Sequence, residues 1–231
     1  MTELTDRALE SRRKKRLEYI KKMTRKVQDK IMKIGLDTGC GHVASAMSVV
    51  GVLVATYHDN PKAIVILSKG HGALAQYVIL TELGIMPKNA LKTYYKDGGL
   101  SGHSTLNQKH GIYASTGSLG HGLPIGIGYA IANPDKKVVV IMSDGEIQEG
   151  STLESLQIIR RLQIPNIIPV VDVNGWSGFG NVEESFIPYN TLKYYSTKGE
   201  YWGDLENTLD SHYKKVTPEL YKLYKDNRGI N

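Results

Sequence analysis

The continuous apolar run Val138–Met142 and a second, Ile167–Val173, that repeats it around Asp172 constrain the fold more than any other feature of the chain. A strand with one wet face alternates apolar and polar residues, whereas a strand covered on both faces carries unbroken β-branched and apolar residues. Each run is therefore expected to be a doubly buried parallel strand. Between them Leu153, Leu156, Ile159 and Leu162 recur every three residues before Pro165 forbids continuation, and Ser151 with Glu154 has capping-box spacing. A short crossover helix is predicted there. A right-handed crossover brings the carboxyl ends of both strands to one edge of the sheet.

That edge carries chemistry. Asp144 follows the first strand and Asn174 closes the second. Magnesium takes six oxygens in a tight octahedron and commonly uses only one or two side chains, leaving the rest to water and phosphate. One Asp, one Asn and a backbone carbonyl suit a magnesium diphosphate, and Gly145 lets the backbone approach the phosphates without a Cβ in the way. Asp-Gly and Asn-Gly are also common turns, so neither dipeptide carries the assignment alone.

The rest of the chain reads as α/β. Residues 6–36 predict a helix with Leu17, Ile20, Met23, Val27, Ile31 and Ile34 on one stripe. Residues 44–57 and 73–83 predict buried helices, 63–67 a short strand, 86–91 a turn of amphipathic helix, and 123–132 a glycine-rich helix. Residues 96–122, dense in glycine and polar side chains, are expected to be a functional loop outside the core. With 231 residues and 41% apolar content, one domain with one sizeable core is the default. The net charge of +6 belongs to residues 1–33, which hold twelve Lys or Arg against five Asp or Glu. This locates the basicity on one solvated helix and argues against nucleic acid or membrane as partner. Cys40 stands alone, so no intrachain disulfide or cysteine-based zinc site can form, and with no apolar leader or span a cytoplasmic setting is expected. Neither G-x-x-x-x-G-K-[ST] nor G-x-G-x-x-G occurs, which removes support for nucleotide binding.

His42, His71 and His103 each follow a glycine in a glycine-rich loop. Imidazole is the side chain best poised to exchange protons near neutral pH, and such loops bring it against a ligand.

Ser143-Asp144-Gly145-Glu146 followed by Asn174 resembles the thiamine diphosphate signature, with Ser143 in place of its first glycine. Cys40 to Ser48, Ser68 to Gly72, Ser101 to His103 and Thr116 to Gly122 resemble transketolase loops in order and type, so that the resemblance runs from about residue 15 to 180. It implies a parallel sheet flanked by helices on both faces, the diphosphate-binding domain of that family, and thiamine diphosphate with Mg2+ or Ca2+ as cofactors. Asp144, Asn174 and the carbonyl of Trp176 would hold the metal. Gly117, Leu119, Gly145, Glu146 and His71 would contact the cofactor, and Glu149 would join a carboxylate network near a subunit interface. His42, His71 and His103 would be the catalytic histidines lining the substrate channel.

The tail departs from the family. Only a short polar connection separates Trp176 from Ser196-Thr197-Lys198-Gly199, where the family has a further helix and strand, so residues 181–231 form a shortened, divergent part of the single domain. The segment Glu206 to His212 resembles one whose histidine approaches the diphosphate, with a surface position equally open for His212. Half of the fourteen tyrosines lie from Tyr189 onward, as a partner surface or as replacement packing. The family's pyrimidine-binding domain, with its activating glutamate, is not in this sequence. The resemblance therefore implies one component of a split transketolase, moving a two-carbon ketol unit between sugars or sugar phosphates and active as an α2β2 heterotetramer. A non-catalytic homologue, deoxyxylulose phosphate synthase and the α subunit of a 2-oxoacid dehydrogenase are the alternatives.

Overall fold

The computed structural model describes residues 3–188 and 191–230. Tyr189, one of the tyrosines singled out above, lies outside them. Helix α1 (Glu3–Thr38) and helix α2 (Val43–Asp59) precede strand β1 (Ile64–Leu67), and α3 (Ala73–Glu82) follows it. Helix α4 (Gly122–Ala132), strand β2 (Val138–Ser143), helix α5 (Gly150–Leu162) and strand β3 (Ile167–Val173) form the predicted central unit. A fourth strand, β4 (Leu192–Tyr195), and helix α6 (Pro218–Arg228) complete the order.

The four strands are parallel in the order β1-β2-β3-β4, with Val138 opposite Ile64 and Ile167. The alternation of strand side chains divides the core in two. Val65, Leu67, Val139 and Ile141 join α1, α2 and α3 in one buried cluster, while Ile64, Ile66, Val138, Val140 and Met142 join α4 and α5 in the other. All six β2 residues are buried, which is why the first five, Val138–Met142, form an unbroken apolar run.

Four expectations change. Helix α5 starts at Gly150 with Glu149 as its N-cap and no side-chain cap, because Ser151 instead donates to the Gly120 carbonyl at 3.0 Å. Its three-residue stripe also drifts about 60° per step around a 3.6-residue helix, so Leu156 is buried while Leu153 and Leu162 at the ends are exposed. The turn expected at 86–91 is a 3-10 helix over Lys88–Thr93. The loop 96–122 contributes Ser104, Ile112 and Ala114 to the interior, and Thr116 Oγ1 ties it to the Leu67 carbonyl at 2.6 Å.

The segment after Trp176 does return to the sheet. Strand β4 pairs with β3 from Val170↔Leu192 to Val173↔Tyr195, and among the described residues of the connection there is one 3-10 turn, Glu184–Phe186, and no α-helix. Both readings of the C-terminal tyrosines find examples. Tyr194, Tyr201 and Tyr224 pack into or against the core, whereas Tyr195 and Tyr213 are exposed.

Candidate functional site

The carboxyl ends of β1, β2 and β3 open into a cavity of about 210 Å3. Its walls include His42, His71, His103, His212, Gly117, Leu119, Gly145, Asn174 and Trp176, so most of the residues singled out from sequence meet at one place. His42 precedes α2 in a left-handed conformation (φ 59°). Such strain in a non-glycine residue costs about 1–3 kcal/mol and persists where the surroundings over-determine it. His71 lies in the 3-10 turn Gly70–Gly72 directly after β1, and His212 in the turn Asp210–His212 after β4. The His42 ring centre is 5.4 Å from His71, 5.8 Å from His103 and 5.4 Å from His212. His212 thus belongs to the cluster and is buried, not a surface residue.

Two glycines make the cluster possible. A Cβ on Gly70 would overlap the Thr116 carbonyl and stand 2.7 Å from the Gly117 nitrogen, so only glycine lets the 116–120 loop dock on the His71 turn. Gly117 has φ 145°, and a Cβ there would meet His103 Cδ2 at 2.7 Å.

Beneath the histidines lies a set of oxygens. Asp144 is fully buried: Oδ1 accepts from Gly145 N at 2.9 Å, and Oδ2 from Asn174 N at 2.9 Å and Gly175 N at 2.6 Å. The β2 carboxylate is thereby fastened to the turn after β3. Asn174 Oδ1 accepts from Trp176 N at 3.2 Å, and the Trp176 carbonyl accepts from Lys198 Nζ at 3.1 Å. These are hard oxygen donors of the kind Mg2+ and Ca2+ take. No group of three His, Cys, Asp or Glu among the described residues could hold a metal by itself. The set would need the carbonyl and a ligand's own oxygens, and the cations beside it suit a diphosphate. The residues therefore fit a magnesium diphosphate.

Two lysines supply those cations. Lys198 Nζ also donates to His212 Nδ1 at 2.8 Å, and burial, then the charge of Lys69, brings its pKa down to about 7. Lys69, with only 1% of its side chain exposed, forms an ion pair with fully buried Asp172 at 2.6 Å. Ser48 and Ser196 also donate to Asp172, at 2.9 and 2.5 Å. Burial is the first cause that lowers His42, His71 and His212, the last to about 3, with neighbouring positive charge adding to it. The three imidazoles are thus neutral near pH 7. Burial raises Asp144 and Glu146.

Asp144, Glu146 and Glu149 fall outside the cavity walls. Glu146 is turned inward, where it accepts from Ser68 Oγ, from Gly120 N at 2.8 Å and from Ser143 N at 3.3 Å. It braces the loop that carries Leu119. Glu149 is exposed on the surface beside Gly120.

Residues 38–220 match the transketolase, thiamine diphosphate binding domain. The chain belongs to the transketolase family. Within that family it is 33% identical, over 68% of its length, to an apulose-4-phosphate transketolase subunit of Actinobacillus succinogenes, spanning 63% of that protein. It is 32% identical over 73% of its length to the protein of the same name from Phocaeicola vulgatus, spanning 65% of it. The chain thus spans less than two thirds of these relatives. The transketolase of Leishmania mexicana superposes with a TM-score of 0.76 at 20% identity, over 92% of this chain and 41% of that one, which shows a shared transketolase fold. Thiamine diphosphate is the cofactor this family's domain binds. No helix among the described residues is long and apolar enough to cross a membrane.

Sequence reasoning quoted the loops that hold Lys69 and Lys198 but gave neither lysine a role. It also passed over Asp172, Ser45, Ser177 and Tyr213. The signal for Lys69 is a lysine between a buried strand and a glycine, with an acidic residue inside the otherwise apolar run of β3.

Proposed function

We propose that this chain is the diphosphate- and metal-holding subunit of a two-component transketolase that transfers a two-carbon ketol unit between sugars. The observation that carries the reading is the convergence of four histidines with Asn174 and Trp176 in one cavity, with buried Asp144 fastened to the Asn174 and Gly175 backbone behind its wall. In this proposal Asp144, Asn174 and the Trp176 carbonyl hold Mg2+, while Lys69, Lys198 and His212 face the diphosphate. Thiamine diphosphate, when bound, supplies a nucleophilic carbon and an electron sink for cleaving and forming a carbon–carbon bond. His42 and His71, neutral by burial, accept protons from sugar hydroxyls at their ring nitrogens and return them, and His103 at the rim orients the donor's terminal hydroxyl.

A second polypeptide completes the proposal. It would supply the pyrimidine-binding domain and its glutamate, with Glu149 and the exposed Leu153 and Leu162 on the side of the chain available to it. Two copies of each chain form the assembly. Three similar proteins are named as transketolase subunits, two acting on apulose 4-phosphate and one, from a Clostridium strain and 30% identical, on 6-deoxy-6-sulfo-D-fructose. These names support a split enzyme and an anionic sugar as substrate. Residues 181–231 are its shortened end, and a reducing cytoplasm suits its buried free Cys40.

The test is to purify the chain alone and together with the product of its adjacent gene, and to assay both for ketol transfer with thiamine diphosphate and Mg2+. Transfer is expected from the pair only. Robust activity from the isolated chain would overturn the two-component reading, and an inactive pair would favour a non-catalytic homologue.

A further inference from the structure

A second cavity is larger than the one that holds the histidines. About 530 Å3 lies between α1, α2 and the segment that follows β4, and none of its walls is shared with the histidine cavity. Lys21, Thr24 and Arg25 of α1 meet Arg228 of α6 around it, with Ile20 and Met47 on its apolar wall. Its charge is one-sided. The carboxylate among its walls, Glu200, is already engaged by Gln28 Nε2 at 2.9 Å.

Arg228 is the decisive residue. Only 7% of its side chain is exposed, and its guanidinium carbon stands 4.8 Å from the centre of the Tyr201 ring. Its nearest carboxylate, Asp29, is 3.6 Å from Nε, beyond hydrogen-bond length, and the buried Nη2 has no hydrogen-bond partner among the described residues. Thr24 Oγ1, on the same cavity, is buried and equally without a partner. Buried donors are normally satisfied, and a guanidinium with free N–H groups matches phosphate oxygens in geometry and charge. Lys21 and Arg25, one helical turn apart on α1, add mobile-headed cations at the mouth.

We infer that this cavity is a second ligand site, taking a small phosphate monoester. The phosphoryl group meets Arg228, Arg25 and the Thr24 hydroxyl, and the carbon part lies against Ile20 and Met47. The site adjoins the histidine cavity through one polar relay. Ser48 and Ser196 line the larger cavity and donate to Asp172, whose partner Lys69 lines the smaller one.

Calorimetric titration of the full chain with phenyl phosphate, and separately with inorganic phosphate, tests the inference. Phenyl phosphate should bind saturably and at least about threefold more tightly than phosphate, because only it reaches the apolar wall. Arg228→Gln should weaken it by about tenfold or more, the loss of one charged hydrogen-bonding partner. Arg25→Gln, an exposed position whose loss leaves the fold intact, and Thr24→Val should each weaken it by several-fold. Lys198→Met, which alters the histidine cavity, should leave it unchanged. Binding that survives Arg228→Gln and Arg25→Gln but disappears with Lys198→Met belongs to the histidine cavity and overturns the inference. So does the lack of saturable binding, or equal affinity for the two probes.

Discussion

Replacing Lys69 by methionine keeps the length of the side chain and removes its charge. Lys69 and Asp172 are at most 1% exposed and 2.6 Å apart, so the substitution leaves a carboxylate buried beneath the histidine cavity. Breaking a buried pair by removing one partner costs about 3–5 kcal/mol. Here the hydroxyls of Ser48 and Ser196 remain on Asp172, and hydrogen bonds to a charged group are worth about 1.5–3 kcal/mol each, which favours the lower end, about 3 kcal/mol. Against a typical total of about 5–15 kcal/mol this is a large loss. With a urea slope of about 1–3 kcal/mol/M, the midpoint should fall by at least about 1 M, followed through Trp176 and Trp202 fluorescence. Combining Lys69→Met with Asp172→Asn should cost about 2 kcal/mol less than the sum of the two, since the stranded charge disappears with its partner. A Lys69→Met midpoint within about 0.2 M of the natural protein, or strict additivity in the double variant, would refute this account of the pair.

The remaining expectations concern the cavity. Asp144→Ala should abolish thiamine diphosphate binding in Mg2+ by calorimetry while far-UV circular dichroism is retained; undiminished affinity would remove Asp144 from the metal site. In the assembled pair His103→Ala should lower turnover by about two orders of magnitude with little change in cofactor affinity, and a rate near that of the natural protein would return it to a bystander role. The buried histidines should also make the fold acid-sensitive. Because His42, His71 and His212 are lowered in the folded chain, the unfolded chain binds protons first as pH falls through about 6.5, so stability is full above that pH and declines below it. The ceiling is about 1.4 kcal/mol per pH unit for each histidine held neutral, less for rings that reach solvent. Urea midpoints at pH 7.5 and pH 5 should show the decline, and His71→Asn should reduce it; an unchanged slope would refute the assignment to His71.

What could be read from the residues depended on how far each signal was local. Strands β2 and β3 were legible because a strand covered on both faces leaves an apolar run in sequence, unbroken over Val138–Met142 and interrupted by Asp172 in β3. The four-residue edge strand Leu192–Tyr195 was not, since half-exposed Leu-Lys-Tyr-Tyr after a polar connection has no such pattern. Ser151 and Glu154 satisfied a local capping rule, but the Gly120 carbonyl, thirty-one residues earlier, claimed the hydroxyl. The glycine-flanked histidines announced themselves, whereas Lys69 and Lys198 did not, because a lysine is expected at the surface until its partner is known. Asp172 and the Trp176 carbonyl are those partners, and both come from distant parts of the chain. His212 needed the return of the chain over β4 to reach the cluster.

The long first helix has a consequence of a different kind. Its 36 residues extend about 54 Å, yet residues 7–15 are wholly exposed and full burial begins only at Val27. Among the described residues the first ion pair of the helix to a distant element is Arg16–Asp59, so exposed residues 7–15 are held by little beyond their own backbone bonds. Amide exchange should therefore slow in steps along one continuous helix, from nearly unprotected at its start to the rate of global opening near Ile31. Trypsin should cut at Arg12, Arg13, Lys14 or Lys15 under native conditions, releasing a short N-terminal peptide. The trimmed protein would keep every residue of the matched domain, residues 38–220, and also the walls of both cavities, including those that α1 contributes from Arg16 onward.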